Sequence, residues 1–131
     1  MFYKIPSIWL GQGLITFRGV AAPVPFYTRW TVNDTIKQEV EIKGHAEKQV
    51  NIYTISDELI ITLENADLGV WQGSGQIEGH HLSWKIISDD QSLKGEEHFF
   101  YLDNGRIKTR AYFMDDEGVY TLVEGEIWKA I

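Results

Sequence analysis

The chain has 131 residues, 12 Lys plus Arg against 19 Asp plus Glu, and a formal charge of −7, which repels phosphate backbones and predicts no nucleic-acid partner. With 44% hydrophobic and 24% charged residues, 12 glycines and 3 prolines, disorder and collagen are excluded, and one domain spanning 1–131 with a single core is expected. Cysteine is absent, which excludes disulfides, a thiolate nucleophile and a Cys-based zinc site; no apolar run approaches the ~20 residues of a membrane span, Met1 to Ser7 lacks the apolar core of a signal peptide, and a soluble cytoplasmic protein is expected.

Along the chain the hydrophobic period is two almost everywhere. Residues Thr35 to Lys43 set the pattern: Ile36, Val40 and Ile42 share one face, while Lys37, Glu39, Glu41 and Lys43 share the other, as in a half-buried antiparallel strand. Turn residues recur at Asn33-Asp34, Gly44-His45, Ser56-Asp57, Asn65 to Asp67, Glu78-Gly79, Ser88 to Gln91, Asp103 to Gly105 and Asp115 to Gly118. With the Gly19 to Pro25 connection they bound ten predicted strands: 8–19, 25–33, 35–43, 48–56, 58–65, 68–78, 80–88, 93–103, 106–114 and 118–129.

Connections this short leave no room for crossover helices, so successive strands form antiparallel hairpins. An open sheet of ten would expose two long edges, and the cross-connections of a sandwich are missing. The expected fold is therefore all-β, an up-and-down meander of about ten strands closed into a β-barrel. Two predicted strands open with Trp-x-Gly-x-Gly, at Trp9, Gly11 and Gly13 and at Trp71, Gly73 and Gly75. Alternate glycines strip one face of side chains, which permits sharp coiling or close packing on bare backbone.

In length, in its meander of short strands and in an early tryptophan among glycines, the chain resembles the calycin superfamily of lipocalin-like and fatty-acid-binding-protein-like barrels. That resemblance implies a small hydrophobic or amphipathic ligand held inside the barrel. The segment Gly19 to Pro25 stands where fatty-acid-binding proteins carry two helices, and Ser7 stands where lipocalins usually place a glycine. Trp9-x-Gly11-x-Gly13 also looks like the opening strand of nitrobindin-type haem barrels, whose proximal ligand is a late histidine. The last histidine here is His98, so no cofactor is expected.

The site residues follow from register. Asp103-Asn104-Gly105-Arg106 reads as a two-residue type I′ hairpin pairing 103 with 106. Tyr101 then opposes Lys108, Phe99 opposes Arg110 and Glu97 opposes Tyr112, all on one face. The turn after Ser88 brings Leu82, Trp84 and Ile86 to that face, and a four-residue turn at Asp115 to Gly118 adds Val119, Thr121, Val123 and Ile127. His81, Ser83, Lys85, Glu96, His98, Thr109, Glu124 and Glu126 collect opposite, so the first face is the interior. Trp84, Glu97, Phe99, Tyr101, Arg110 and Tyr112 are the candidate ligand-binding residues. Glu97 and Arg110 are expected to pair with each other, with hydroxyls, or with a ligand. The Arg110-x-Tyr112 spacing resembles the pair that holds a carboxylate in fatty-acid-binding proteins, and a guanidinium suits that group.

In the early strands Phe26, Thr28, Trp30 and Val32 face inward if the following turn has three residues, and Arg29 does if it has two; Gln38, Asn51 and Tyr53 are the polar candidates for the interior. The four histidines, His45, His80, His81 and His98, form no metal-binding spacing, and no catalytic residue or metal ligand is assigned. Ser83 and His98 lie opposite one another on the outer face, without an oxyanion hole. Trp128 and Phe100 offer a candidate homodimer face. The leading expectation is binding of a small, largely apolar ligand in the barrel interior, with or without a carboxylate. The alternatives are an enzyme using Glu97 with Arg110 and Tyr112, or a packed barrel that acts through its surface.

Overall fold

The computed structural model describes residues 1–130. Ten strands run in chain order: β1 (Ser7–Phe17), β2 (Val24–Val32), β3 (Ile36–Ile42), β4 (Gln49–Ile55), β5 (Ile60–Asn65), β6 (Gly69–Glu78), β7 (His81–Ser88), β8 (Lys94–Tyr101), β9 (Ile107–Asp115) and β10 (Gly118–Lys129). Each pairs antiparallel with its neighbours, and β10 returns to β1 from Trp9↔Lys129 to Phe17↔Thr121, closing the barrel. The all-β meander read from the turns is thus the architecture. Among the described residues there is no helix, and none therefore that is long and apolar enough to cross a membrane.

The two glycine-marked strands, β1 and β6, place their glycines on the inner face. There the adjoining backbone comes so close that no side chain fits. A Cβ on Gly13 would run into the Glu124 carbonyl and lie 2.6 Å from the Gly125 Cα; one on Gly73 would run into the Lys85 carbonyl and lie 2.8 Å from the Ile86 Cα. Because the obstruction is paired backbone, no rotamer change relieves it.

Register decides which side chains enter the barrel. The β2–β3 loop is Asn33 to Thr35, three residues, so Val32 pairs with Ile36 and the buried face of β2 is Phe26, Thr28, Trp30 and Val32. The β7–β8 pairing, Leu82↔Phe99, Trp84↔Glu97 and Ile86↔Gly95, agrees with the sequence reading. The β8–β9 pairing does not. Leu102 N–H donates to Arg106 and Gly105 N–H donates to Leu102, so Asp103, Asn104 and Gly105 form a three-residue loop. A type I′ turn needs positive φ at both central residues. Gly105 has φ of 84°, whereas Asn104 is not among the non-glycine residues with positive φ; its side chain instead accepts from the Arg106 N–H at 3.0 Å.

The resulting shift of one residue turns β9 over. Tyr101 opposes Ile107, Phe99 opposes Thr109 and Glu97 opposes Ala111, so Thr109, Ala111 and Phe113 take the inner face expected of Lys108, Arg110 and Tyr112. A β-bulge at Tyr120 takes up the extra residue between β9 and β10. Thr121, Val123 and Ile127 therefore remain inside as expected, while Val119, on the far side of the bulge, is exposed.

The interior has two unlike halves. At one end Phe2 and Tyr3, from the segment before β1, are buried in a cluster with Trp9, Trp30, Tyr53, Trp84 and Phe99. Phe2 meets Phe99 at 5.1 Å and Trp30 at 5.6 Å between ring centroids, and its N–H donates to the Tyr101 hydroxyl at 2.9 Å. At the other end only a small cluster of Ile15, Phe26 and Ile42 is buried, and the barrel is hollow.

Candidate ligand-binding cavity

The hollow half is a cavity of about 270 Å³, close to the lower end of the range for small-molecule sites. Its lining includes Phe17 at the end of β1, His45 and Leu68 from the β3–β4 and β5–β6 connections, and Tyr120 near the start of β10. Its walls are apolar and aromatic, with Phe26, Tyr53, Trp71, Phe113 and Val123 prominent. They enclose a row of amides: Asn51 Nδ2 donates to Gln38 Oε1 at 2.9 Å, and Asn65 Nδ2 donates to Asn51 Oδ1 at 2.7 Å. Asn65 Oδ1 in turn accepts the N–H groups of Asp67 and Leu68. This chain fixes the orientation of three inward polar groups across β3, β4 and β5.

Glu97 stands at the inner limit of the cavity, where the hollow meets the aromatic cluster. It is 7% exposed and is the sole buried residue among those described that bears an ionisable acid or base other than the two buried tyrosines. The Tyr53 hydroxyl donates to both carboxylate oxygens at 2.9 Å, and Trp84 Nε1 donates to Oε2 at 2.5 Å. Among the described residues no Lys, Arg or His lies in an ion pair with it. Burial raises its pKa above the ordinary glutamate value, and the donors from Trp84 and Tyr53 offset part of that rise. The Tyr53 phenol is raised well above its usual value, first by burial and then by the facing carboxylate. Trp30, 3% exposed, carries an indole N–H with no acceptor. It borders a void of about 40 Å³ that Glu97 and Gln38 also line.

Of the six candidates from the sequence, only Glu97 lines the cavity. Trp84 and Phe99 are fully buried in the closed half, behind the carboxylate. Tyr101 fastens the N-terminal segment, and burial pushes its pKa up to about 12. Arg110 and Tyr112 are on the outer face, where the guanidinium lies 5.1 Å from the Tyr112 ring centroid. The expected pairing of Arg110 with Glu97 is therefore not formed, because the turned-over β9 presents Ala111 to Glu97 instead.

The polar partners foreseen at Gln38, Asn51 and Tyr53 are all at the cavity. Asn65 and Trp71 were read as a turn residue and a strand opener. Both roles are real, but each side chain also faces inward: Asn65 caps the β5–β6 turn with its oxygen and joins the amide row with its nitrogen. On the outer face Ser83 lies opposite His98 in the β7–β8 pairing. His98 Nδ1, however, hydrogen-bonds His81 Nε2 at 2.8 Å, and its pKa is lowered by burial and then by His81. No protein-family model matches the chain, and no curated protein matches it.

Proposed function

We propose that this barrel is a lipocalin-like, calycin-type binding protein that takes up a small, largely apolar molecule in the open half of its interior. The observation that carries the reading is the contrast between the halves. One end of the same closed barrel is filled by Phe2 and its aromatic neighbours, whereas the other retains about 270 Å³ behind an opening between connections. A barrel serving only as a packed scaffold gains stability by filling such a space. Amides held in a fixed row on an apolar wall are also the usual makeup of a site that orients a ligand. The carboxylate on the expected ligand loses its support, since Arg110 lies outside.

The test is a titration with 2-phenylethanol, a neutral molecule of suitable size, followed by backbone and methyl NMR. Saturable shifts at Val40, Leu63, Ala111 and Val123, abolished by the space-filling variant Val123→Trp, are expected. Shifts scattered over the outer face, or none at millimolar probe, would overturn the reading.

A further inference from the structure

Resting on that reading, we infer that the ligand is an organic cation: a small ammonium compound with an apolar or aromatic body, its charged head seated against the Glu97 carboxylate. Among the described residues the cavity wall carries one carboxylic acid, Glu97, and no Lys, Arg or His forms an ion pair with it. Around it the polar groups are neutral, namely the amides of Gln38, Gln49, Asn51 and Asn65 and the hydroxyls of Tyr53, Tyr120 and Thr121, with His45 exposed near the opening; no Lys or Arg contributes to the wall. Arg18, just beyond β1 on the open side, is taken up by Asp115 at 2.7 Å and Glu117 at 3.2 Å. An anionic ligand would therefore meet a like charge at the inner end of the cavity, with no Lys or Arg among the described wall residues to offset it.

An ammonium reverses each of these terms. It supplies the neutralising partner that a buried carboxylate needs, and its N–H groups reach carboxylate lone pairs left over by Tyr53 and Trp84. Phe26, Tyr53, Trp71 and Phe113 line the same wall, and aromatic rings attract a cation placed over their faces. The volume suits a body of roughly ten non-hydrogen atoms, and the chain's charge of −7 draws cations toward it. Burial raises the pKa of Glu97, and a cation seated against it favours the charged form.

Calorimetric titration of the full chain at neutral pH with three probes sharing one body, 2-phenylethylammonium, 2-phenylethanol and phenylacetate, separates this inference from the reading beneath it. The ammonium is expected to bind at least tenfold more tightly than the alcohol, with phenylacetate the weakest. In Glu97→Gln the ammonium should lose at least tenfold while the alcohol is nearly unchanged. Alcohol or phenylacetate binding as tightly as the ammonium, and still blocked by Val123→Trp, overturns the cationic ligand and leaves the cavity reading standing. Binding of none of the three overturns both. The order of the probes on the unmodified protein decides the matter even if the Glu97 variant does not fold.

Discussion

Trp30 and Trp84 form a natural matched pair: both are core indoles, 3% and 1% exposed, and both touch the Tyr53 ring, with centroids at 5.4 and 5.7 Å. Replacing either with Phe removes the same part of the ring, so lost transfer free energy and the cavity left behind are similar. The indole N–H distinguishes them. That of Trp84 donates to the buried Glu97 carboxylate, and a hydrogen bond to a charged group contributes about 1.5–3 kcal/mol. That of Trp30 has no acceptor, and removing a buried unsatisfied donor relieves about 1–3 kcal/mol of desolvation. Trp84→Phe should therefore be less stable than Trp30→Phe by at least ~1.5 kcal/mol, or roughly 5 °C in Tm for a chain of this size.

Urea unfolding followed by far-UV circular dichroism is the suitable assay, because five tryptophans blur a fluorescence signal. Repeating both substitutions in Glu97→Gln closes a double-mutant cycle. There the Trp84 N–H faces a neutral amide oxygen, and the gap should narrow by about 1 kcal/mol. Equal stabilities within ~0.5 kcal/mol, or Trp30→Phe as the worse variant, would refute the assignment of the indole donor to the carboxylate.

The Glu97 titration gives a pH signature of definite sign. Its folded pKa is raised by burial, and the groups facing it are the Tyr53 phenol, raised well above 10.0, and the non-titrating Trp84 and Ala111. Its contribution is full below the unfolded value of about 4.5 and is lost as pH rises through the folded value. Wild-type stability should thus decline relative to Glu97→Gln as pH rises above about 4.5, and paired urea midpoints across that range check it; a pH-independent difference would contradict it. His98 acts oppositely: its lowered pKa gives stability that is present above about 6.5 and lost on acidification, so only the difference between the two proteins isolates Glu97. Arg110→Met should alter stability by no more than ~1 kcal/mol, the scale of an exposed cation–π contact. It should show no coupling to Glu97→Gln, and a coupling above that scale in a four-protein cycle would return Arg110 to the interior.

The strands and the two glycine-marked segments are legible in the sequence, since turn residues and alternation are local signals. Parity was harder, because a hairpin loop one residue longer turns over everything beyond it. Asn104-Gly105 can close a two-residue turn if both adopt positive φ, or can end a three-residue loop if only Gly105 does. The structure takes the second course, and Arg110 and Tyr112 leave the interior as a result. The reading of β10 survived because the Tyr120 bulge restores the parity that the longer loop removes. Glu97 was placed inside on firmer ground, through the Ser88 turn and the apolar β7 face beside it. Asn65 escaped because a turn-forming asparagine at a strand end gives no local sign that its amide nitrogen also serves the interior.

What holds Glu97 in place argues for its use. At that position a hydrophobic residue of similar volume would fill the seam between the aromatic half and the cavity without the desolvation of a carboxylate, and such replacements are often neutral or stabilising. The fold instead supplies two donors from separate strands, Tyr53 on β4 and Trp84 on β7, and among the described residues no ion-pair partner. Two donors stabilise a carboxylate enough to keep it buried, but they leave its charge unneutralised on the side where the barrel is hollow. The packed half and the closed ladder around it contribute the stability that tolerates this buried acid, and the proposed ammonium ligand would supply the missing counter-charge from the cavity side.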